Sequence, residues 1–288
     1  MKKLFCVIGD PIAHSRSPAI HTRAFELLSV DAVYAPCRVL PAQLKDAVAG
    51  LRALSAAGFN VTVPHKANVA ALCDRLAREA ELAGAVNCVV NEDGQLVGHN
   101  TDGTGLLRAL HDRGVNVDGV RAVVLGAGGS ARAAAMALAG RAFEVSVINR
   151  DASKARTLSL QLRAAGTRSE SAAPNTDASR DLLSRAQLVV HCTTIGMNSS
   201  EALIDVAQLG ASCSVVDLVY AGAAGTKPGE TALVAGGRAR GLVVIDGIDV
   251  LVHQALASLA IWLRRDSLSS LFPELRAAAL AATPHAEV

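Results

Sequence analysis

The run that most narrows what this chain can fold into lies near its middle: Arg121-Ala-Val-Val-Leu-Gly126-Ala127-Gly128-Gly129-Ser130-Ala131. An apolar strand over 121–125 leads into a glycine turn, a helix-forming segment covers 129–140, and a second apolar run follows at 144–148. Strand, glycine turn, helix and second strand form a βαβ unit whose helix start can receive a dinucleotide pyrophosphate. Gly126 permits the tight turn, Gly128 lets the backbone approach the phosphates, and small Ala131 lets helix and strand pack closely. The free N–H groups and the dipole at the helix start favour an anion. The plainer alternative is a βα turn that holds no ligand.

The same alternation runs through the whole chain. Strands are expected at 3–8, 32–39, 58–63, 86–90, 95–98, 121–125, 144–148, 187–191, 213–217 and 242–245. Helices are expected at 18–29, 41–55, 67–82, 103–113, 129–140, 151–165 and 248–264. This order predicts α/β layers with largely parallel sheets. The Ser/Thr/Asn-rich segment 166–180 reads as a surface connection, 221–230 as a second loose stretch, and the last eight or so residues as a frayed end. A boundary between two domains falls near 103–120, just before the glycine unit.

Composition excludes several classes of function. Aromatic residues make up 3% of the chain against 51% apolar, so the cores must be built from Ala, Val, Leu and Ile. A net charge of +2 without a basic run predicts no nucleic acid or membrane partner. No apolar stretch reaches the roughly 18 residues of a transmembrane helix. The apolar start of the chain ends at Gly9-Asp10-Pro11, too short for a signal-peptide core, and reads as a buried strand. Six scattered cysteines without a CxxC pair read as reduced thiols of a cytoplasmic protein, and no metal site is expected.

Three polar clusters interrupt the first third. Ser15 and Ser17 stand one residue apart before Pro18, beside a helix start whose N–H groups suit a small carboxylate. In Asn60-Val-Thr62-Val-Pro64-His-Lys66, strand alternation puts Asn60 and Thr62 on one face. Lys66 opens the next helix, where the dipole disfavours a cation, so another interaction must hold it. Asn87 breaks an apolar run, and Asn100-Thr101-Asp102-Gly103 joins a strand to a helix. Read one at a time, each has a plainer use: Ser17 or Asp102 as a helix cap, Lys66 as a surface lysine, Asn87 as a satisfied buried amide.

The end of the second cofactor strand selects between cofactors. An acidic residue there holds the ribose 2′-hydroxyl of NAD, and a basic one accepts the 2′-phosphate of NADP. Here Asn149-Arg150-Asp151 is followed by Lys154. Arg150 offers a planar fork and Lys154 a second charge, which favours NADP, while Asp151 keeps NAD as the alternative.

Taken together these clusters resemble the signature of the shikimate dehydrogenase family. They are Ser-x-Ser-Pro, Asn-Val-Thr-Val-Pro-x-Lys, Ala-Gly-Ala-Val-Asn, Asn-Thr-Asp-Gly, Gly-Ala-Gly-Gly and the Asn-Arg strand end, with Asp246-Gly247 and Leu251-Val-His-Gln254 near the C-terminus. The resemblance covers nearly the whole chain. It implies two α/β domains around a cleft: a substrate-binding catalytic domain at 1–102, a Rossmann-type domain at 103–245, and helices at 246–288 that pack back on the first. It implies reversible NADP-dependent reduction of 3-dehydroshikimate to shikimate on the chorismate route to aromatic amino acids, by a monomer or homodimer. In that reading Lys66 and Asp102 are catalytic. Ser15 and Ser17 bind the substrate carboxylate, and Asn60, Thr62, Asn87 and Gln254 its ring hydroxyls, with Tyr220 close by. Gly126, Ala127, Gly128, Gly129, Ser130, Ala131, Asn149, Arg150, Lys154 and Gly247 hold the cofactor.

The chain departs from the family pattern in three places. His191-Cys192-Thr193-Thr194 stands where Asn-Ala-Thr is common, 221–230 is longer, and Gly247-Ile248-Asp249-Val250 replaces Gly-Leu-Gly-Met. These changes bear on cofactor geometry more than on substrate recognition. The alternatives are a quinate/shikimate dehydrogenase using NAD or both cofactors, and a non-catalytic ligand-binding relative. Replacing Arg150 by Ala is expected to raise KM for NADP and leave KM for NAD nearly unchanged. Steady-state kinetics with both cofactors check this, and an equal loss for both would remove Arg150 from the 2′-phosphate site.

Overall fold

The computed structural model describes residues 2–197, 199–220 and 230–283. Residues 221–229 of the loose stretch and 284–288 of the expected frayed end therefore lie outside the described residues. The chain divides into two compact units, one formed by Met1–Gly105 with Leu251–Val288, the other by Leu106–Val250.

In the first unit β1 (Lys3–Gly9), α1 (Ser17–Leu27), β2 (Ala32–Arg38), α2 (Leu44–Ala53), β3 (Gly58–Val61) and α3 (Lys66–Val69) come first. Then follow β4 (Arg75–Leu76), α4 (Arg78–Ala83), β5 (Cys88–Glu92), β6 (Gln95–His99) and α5 (Asp102–Asp112), which carries the chain into the second unit. The strands form one sheet in the order β2-β1-β3-β5-β6-β4. It is largely parallel, as expected, with β5 alone running antiparallel to its neighbours β3 and β6. The cause is Asp93-Gly94, with φ of +52° and +90°, forming the tight hairpin turn that joins β5 to β6.

The helix expected over 67–82 is broken. Backbone and carboxylate of Asp74 clasp Leu96, with Asp74 N–H on Leu96 O at 2.8 Å and Leu96 N–H on Asp74 Oδ2 at 2.6 Å. That pairing draws 75–76 out as β4 beside β6, so tertiary contact overrides the helix propensity of Ala and Leu.

The second unit is parallel throughout. Its elements are β7 (Arg121–Leu125), α6 (Gly129–Leu138), β8 (Glu144–Ile148), α7 (Ala152–Ala164), β9 (Ser171–Ala172), α8 (Asp177–Ser184), β10 (Leu188–His191), β11 (Ser214–Asp217), α9 (Ala232–Ala239) and β12 (Val243–Ile245). Their sheet order β12-β11-β10-β7-β8-β9 is that of a doubly wound dinucleotide fold, with its switch point between β7 and β10. Residues 166–180 are more than a surface connection: β9 pairs with β8, and Thr176 with Ser179 forms a capping box that starts α8. The hydroxyls that suggested a loop are the cap. Val124, Val190, Val216 and Ile245 from four strands pack with Ala131, Ala134, Ala135 and Leu138 of α6. Small side chains thus make the core that the aromatic-poor composition requires.

From β12 the chain enters α10 (Gly247–Leu263) and ends in α11 (Phe272–Ala281), and from Leu251 onward it belongs to the first unit again. Trp262 donates its Nε1–H to Val89 O at 2.9 Å, and Arg16 reaches Ala282 O at 3.0 Å. Phe5, Phe25, Tyr34 and Trp262 gather around His21, which stacks on Tyr34 at 4.4 Å. Burial pushes the His21 imidazole down to about 3, so it packs as a neutral ring. Among the described residues no helix is long and apolar enough to cross a membrane.

Gly105 on α5 touches α10 so closely that a Cβ there would lie 2.7 Å from the backbone nitrogen of Gln254. Backbone cannot yield as a side chain can, so Gly105→Ala is expected to cost about 1–3 kcal/mol, the range for overpacking. Urea unfolding measures it, and an unchanged midpoint would mean that the two helices move apart freely.

Candidate active site

Strand direction assembles the polar clusters of the first unit. β3 is parallel to β1, and two antiparallel steps through β5 make β6 parallel to β3 again. The ends of β1, β3 and β6 and the start of β5 therefore lie on one sheet edge. Ser15 and Ser17 follow β1, Thr62 and Lys66 follow β3, Asn87 precedes β5, and Asp102 follows β6.

Lys66 and Asp102 meet there. The Nζ of Lys66 donates to Asp102 Oδ2 at 2.5 Å, with side-chain exposures of 15% and 11%. The other carboxylate oxygen, Oδ1, accepts from Asn87 Nδ2 at 2.6 Å. Lys66 is thus no surface lysine, and α3 is only four residues long, so little dipole opposes its charge. The N–H of Asp102 itself donates to Asn100 Oδ1 at 3.1 Å.

Asn87 is the hub of the cluster. Its Oδ1 accepts the Thr101 backbone N–H at 2.7 Å, and its Nδ2 also lies 3.0 Å from Thr101 Oγ1 and 3.3 Å from Gln254 Oε1. Gln254 is anchored by Nε2 donating to Leu251 O at 2.8 Å. Asn60 spends both amide protons on Asn87 O and Ser258 Oγ, at 3.0 and 3.2 Å, and accepts from the Tyr34 hydroxyl at 2.7 Å. Burial raises the Tyr34 phenol well above its ordinary value, so it stays a donor. Thr62 is half-buried against Gly9, where a Cβ would come within 2.3 Å of its methyl group. Ser15 and Ser17 are buried, and Ser17 N–H reaches Ser15 Oγ at 3.4 Å. The cap position of α1 falls on Arg16, with no side-chain cap bond, so Ser17 is not the helix cap.

The second unit carries the cofactor candidates. Gly126 has φ +116°, and a Cβ on Gly128 would meet nothing within 4 Å. Gly128 is the N-cap of α6, and a glycine there brings no side-chain acceptor of its own to the helix start. This suits a pyrophosphate lying across Gly126, Ala127, Gly128, Gly129 and Ser130, with Ala131 fully buried beneath. Arg150 is exposed at the end of β8. Asn149 Nδ2 donates to Asp151 O at 2.9 Å. Asp151 turns back to cap α7, accepting the Ser153 and Lys154 N–H groups at 3.0 and 3.3 Å, and Lys154 Nζ stands 3.6 Å from it. The Ser153 hydroxyl, foremost, and these N–H groups hold the Asp151 carboxyl below its ordinary range. Gly247 packs on the backbone after β11, where a Cβ would lie 2.7 Å from Val219 O. Tyr220 is half-buried in this unit. The unfamiliar Asp249 bonds to Arg113 at 2.7 Å, and Val250 is buried in the core.

Sequence reasoning missed Tyr34, Asn100, Thr101 and Ser258 as supporting residues. Thr101 and Asn100 sit inside the noticed Asn-Thr-Asp-Gly run. Ser258 could have been found one helical turn after Gln254, to whose carbonyl it donates at 3.1 Å. Tyr34 carries no local signal, since only strand pairing brings it to Asn60.

The fold and site define a two-unit α/β protein with a Rossmann-type dinucleotide fold in one unit and a polar, lysine–carboxylate site in the other. Residues 7–89 match the family described as the shikimate dehydrogenase substrate binding domain. Over 287 residues the chain is 44% identical to the shikimate dehydrogenase (NADP(+)) of Symbiobacterium thermophilum, covering 97% of this chain and 94% of that one. A Thermus thermophilus shikimate 5-dehydrogenase solved with NADP(H) and shikimate matches with a TM-score of 0.84 at 32% identity, over 96% of this chain and 100% of that one. A ligand-free 5-ketofructose reductase of a Gluconobacter strain matches with a TM-score of 0.82 at 31% identity, over 96% and 98%. The chain belongs to the shikimate dehydrogenase family.

Removing the Asn87 side chain leaves the buried Thr101 N–H without its acceptor. Asn87→Ala is expected to lower folding stability by about 1–3 kcal/mol, the cost of an unsatisfied buried group. Denaturant unfolding checks it, and a loss below about 0.5 kcal/mol would mean that water replaces the amide.

Proposed function

We propose that this chain is a shikimate dehydrogenase, interconverting 3-dehydroshikimate and shikimate with NADP on the chorismate route to aromatic amino acids. The observation that carries the reading is the Lys66–Asp102 pair at 2.5 Å, steadied by Asn87. NADPH, when bound, supplies the hydride. Lys66 holds a proton at Nζ for the reacting oxygen and stabilises the negative charge that develops there. Asp102 keeps that ammonium in place. Ser15 and Ser17 receive the substrate carboxylate, and Thr62, Asn87 and Gln254 the ring hydroxyls. Asn60 has given both amide protons to the protein, so it acts mainly by holding Asn87 O. Tyr220 lies near the substrate in this reading.

The unit Leu106–Val250 is the cofactor domain in this proposal, and Met1–Gly105 with the returning helices is the substrate domain. The glycine-rich start of α6 takes the pyrophosphate, and Gly247 lets α10 approach the strand ends closely. Arg150 receives the 2′-phosphate, with Asn149 and Lys154 beside it. Asp151 caps its own helix, and this supports NADP over an NAD-linked quinate dehydrogenase. We place the protein in the cytoplasm, as a monomer or homodimer.

Initial rates with shikimate and quinate, each with NADP and NAD, test the reading; a preference for quinate with NAD would overturn it. Lys66→Ala and Asp102→Ala are each expected to lower kcat by at least about 10²-fold, the lower end for general acid–base catalysis. NADPH binding, followed by fluorescence, should survive in both. The double variant should be barely worse than the worse single one, because groups acting as a unit are not additive. Near-normal kcat in Lys66→Ala would rule the mechanism out.

A further inference from the structure

The departure at His191-Cys192-Thr193 forms a buried hydrogen-bonded chain that the reaction above does not use. His191 ends β10 and is the direct strand partner of Asp217, which ends β11. Its Nδ1 lies 2.8 Å from Asp217 Oδ1 and its Nε2 lies 2.7 Å from Thr193 Oγ1. Side-chain exposures of 3% and 1% put His191 and Asp217 out of reach of water. Asp217 is fixed from two further sides, by Val219 N–H on Oδ1 at 2.9 Å and the Thr231 hydroxyl on Oδ2 at 2.5 Å. Thr193 in turn accepts the Ile195 N–H at 3.1 Å and so pins the turn after β10.

The chain ends at the glycine turn. A Cβ built on Gly126 would lie 3.2 Å from the Thr193 methyl group. β7, which leads into that turn, is flanked by β8 on one side and β10 on the other. Thr193 therefore stands at the switch point of the sheet, where doubly wound folds bind their ligands. It belongs to the half of the sheet opposite Arg150, the half that serves the second nucleotide of a dinucleotide. Resting on the cofactor reading above, we propose that His191 is a positioning residue that, braced by Asp217, orients the Thr193 hydroxyl toward the nicotinamide riboside half of NADP.

The donor inventory says which way it points. A carboxylate only accepts, so Nδ1 carries the proton that faces Asp217. With that proton on Nδ1, Nε2 is in this proposal the acceptor of the Thr193 hydroxyl proton. One lone pair of Oγ1 takes Ile195 N–H, and the other is left as an acceptor for an O–H or N–H of the cofactor. Without the imidazole, the hydroxyl proton would be free to rotate into that direction.

Thr193→Val keeps the methyl group against Gly126 and removes only the hydroxyl. It is expected to raise the Kd of NADPH and the KM of NADP by about three- to tenfold, the worth of one neutral hydrogen bond. KM for shikimate at saturating NADP should stay within about twofold, since the first unit is untouched. Thr193→Ser, which keeps the hydroxyl, should bind NADPH as the wild type does. His191→Phe keeps a ring in the space, and if it folds it should match Thr193→Val, with the double variant no worse than either. Thr193→Val binding NADPH as tightly as a wild type of measurable Kd would overturn the inference, as would losses that multiply in the double variant. Should His191→Phe not fold, the Val and Ser variants decide alone. A wild type that binds no NADPH would overturn the cofactor reading, and this inference with it.

Discussion

A carboxylate held on both oxygens organises the first unit. Asp102 gives Oδ2 to Lys66 and Oδ1 to Asn87, and each donor comes from a different element. Removing a charge from water is costly unless partners of good geometry replace the water, so the three residues stand or fall together. The same Asn87 takes the Thr101 N–H and touches Gln254, which ties the returning helix α10 to the sheet edge. A site of this kind is stiff because Lys66, Asp102, Asn87, Asn60 and Gln254 are joined to one another through hydrogen bonds.

The stiffness depends on close backbone packing. Gly105 lets α5 lie against α10, Gly58 lets Trp262 lie on the sheet, and Gly9 leaves room for Thr62. Four aromatic rings, Phe5, Phe25, Tyr34 and Trp262, are gathered where two helices must meet the sheet, around His21. The second unit needs none there, because Ala-rich α6 sits directly on short branched strand residues.

The two carboxylates that bear on the cofactor reading find physical partners. Asp249 is held by Arg113, which gives its buried carboxylate a counter-charge. Asp151 serves as the cap of α7 and lies 3.6 Å from Lys154, so its charge is spent locally. The enzymes that share this fold are named for different substrates, shikimate in one case and 5-ketofructose in another. Function on this fold therefore rests on the side chains of the site more than on the sheets that carry them.

From the residues alone one could read the glycine turn with its flanking strands, the alternation of elements, and the polar clusters that contain Lys66, Asp102 and Asn87. Those signals are local: turn geometry, strand alternation and helix starts depend on residues a few positions apart. The antiparallel hairpin was also legible in Asp93-Gly94, though the prevailing alternation argued against it. Other features exist only because distant segments meet. Arg75 and Leu76 became a strand because Asp74 clasps Leu96, and Tyr34 and Ser258 joined the site because Asn60 lies between them. Whether Lys66 was an idle surface charge or half of a buried pair was likewise decided by two antiparallel steps in a sheet. Hydrogen bonds and ion pairs act over a few ångströms in space, and sequence order does not record which residues 36 positions apart will come that close.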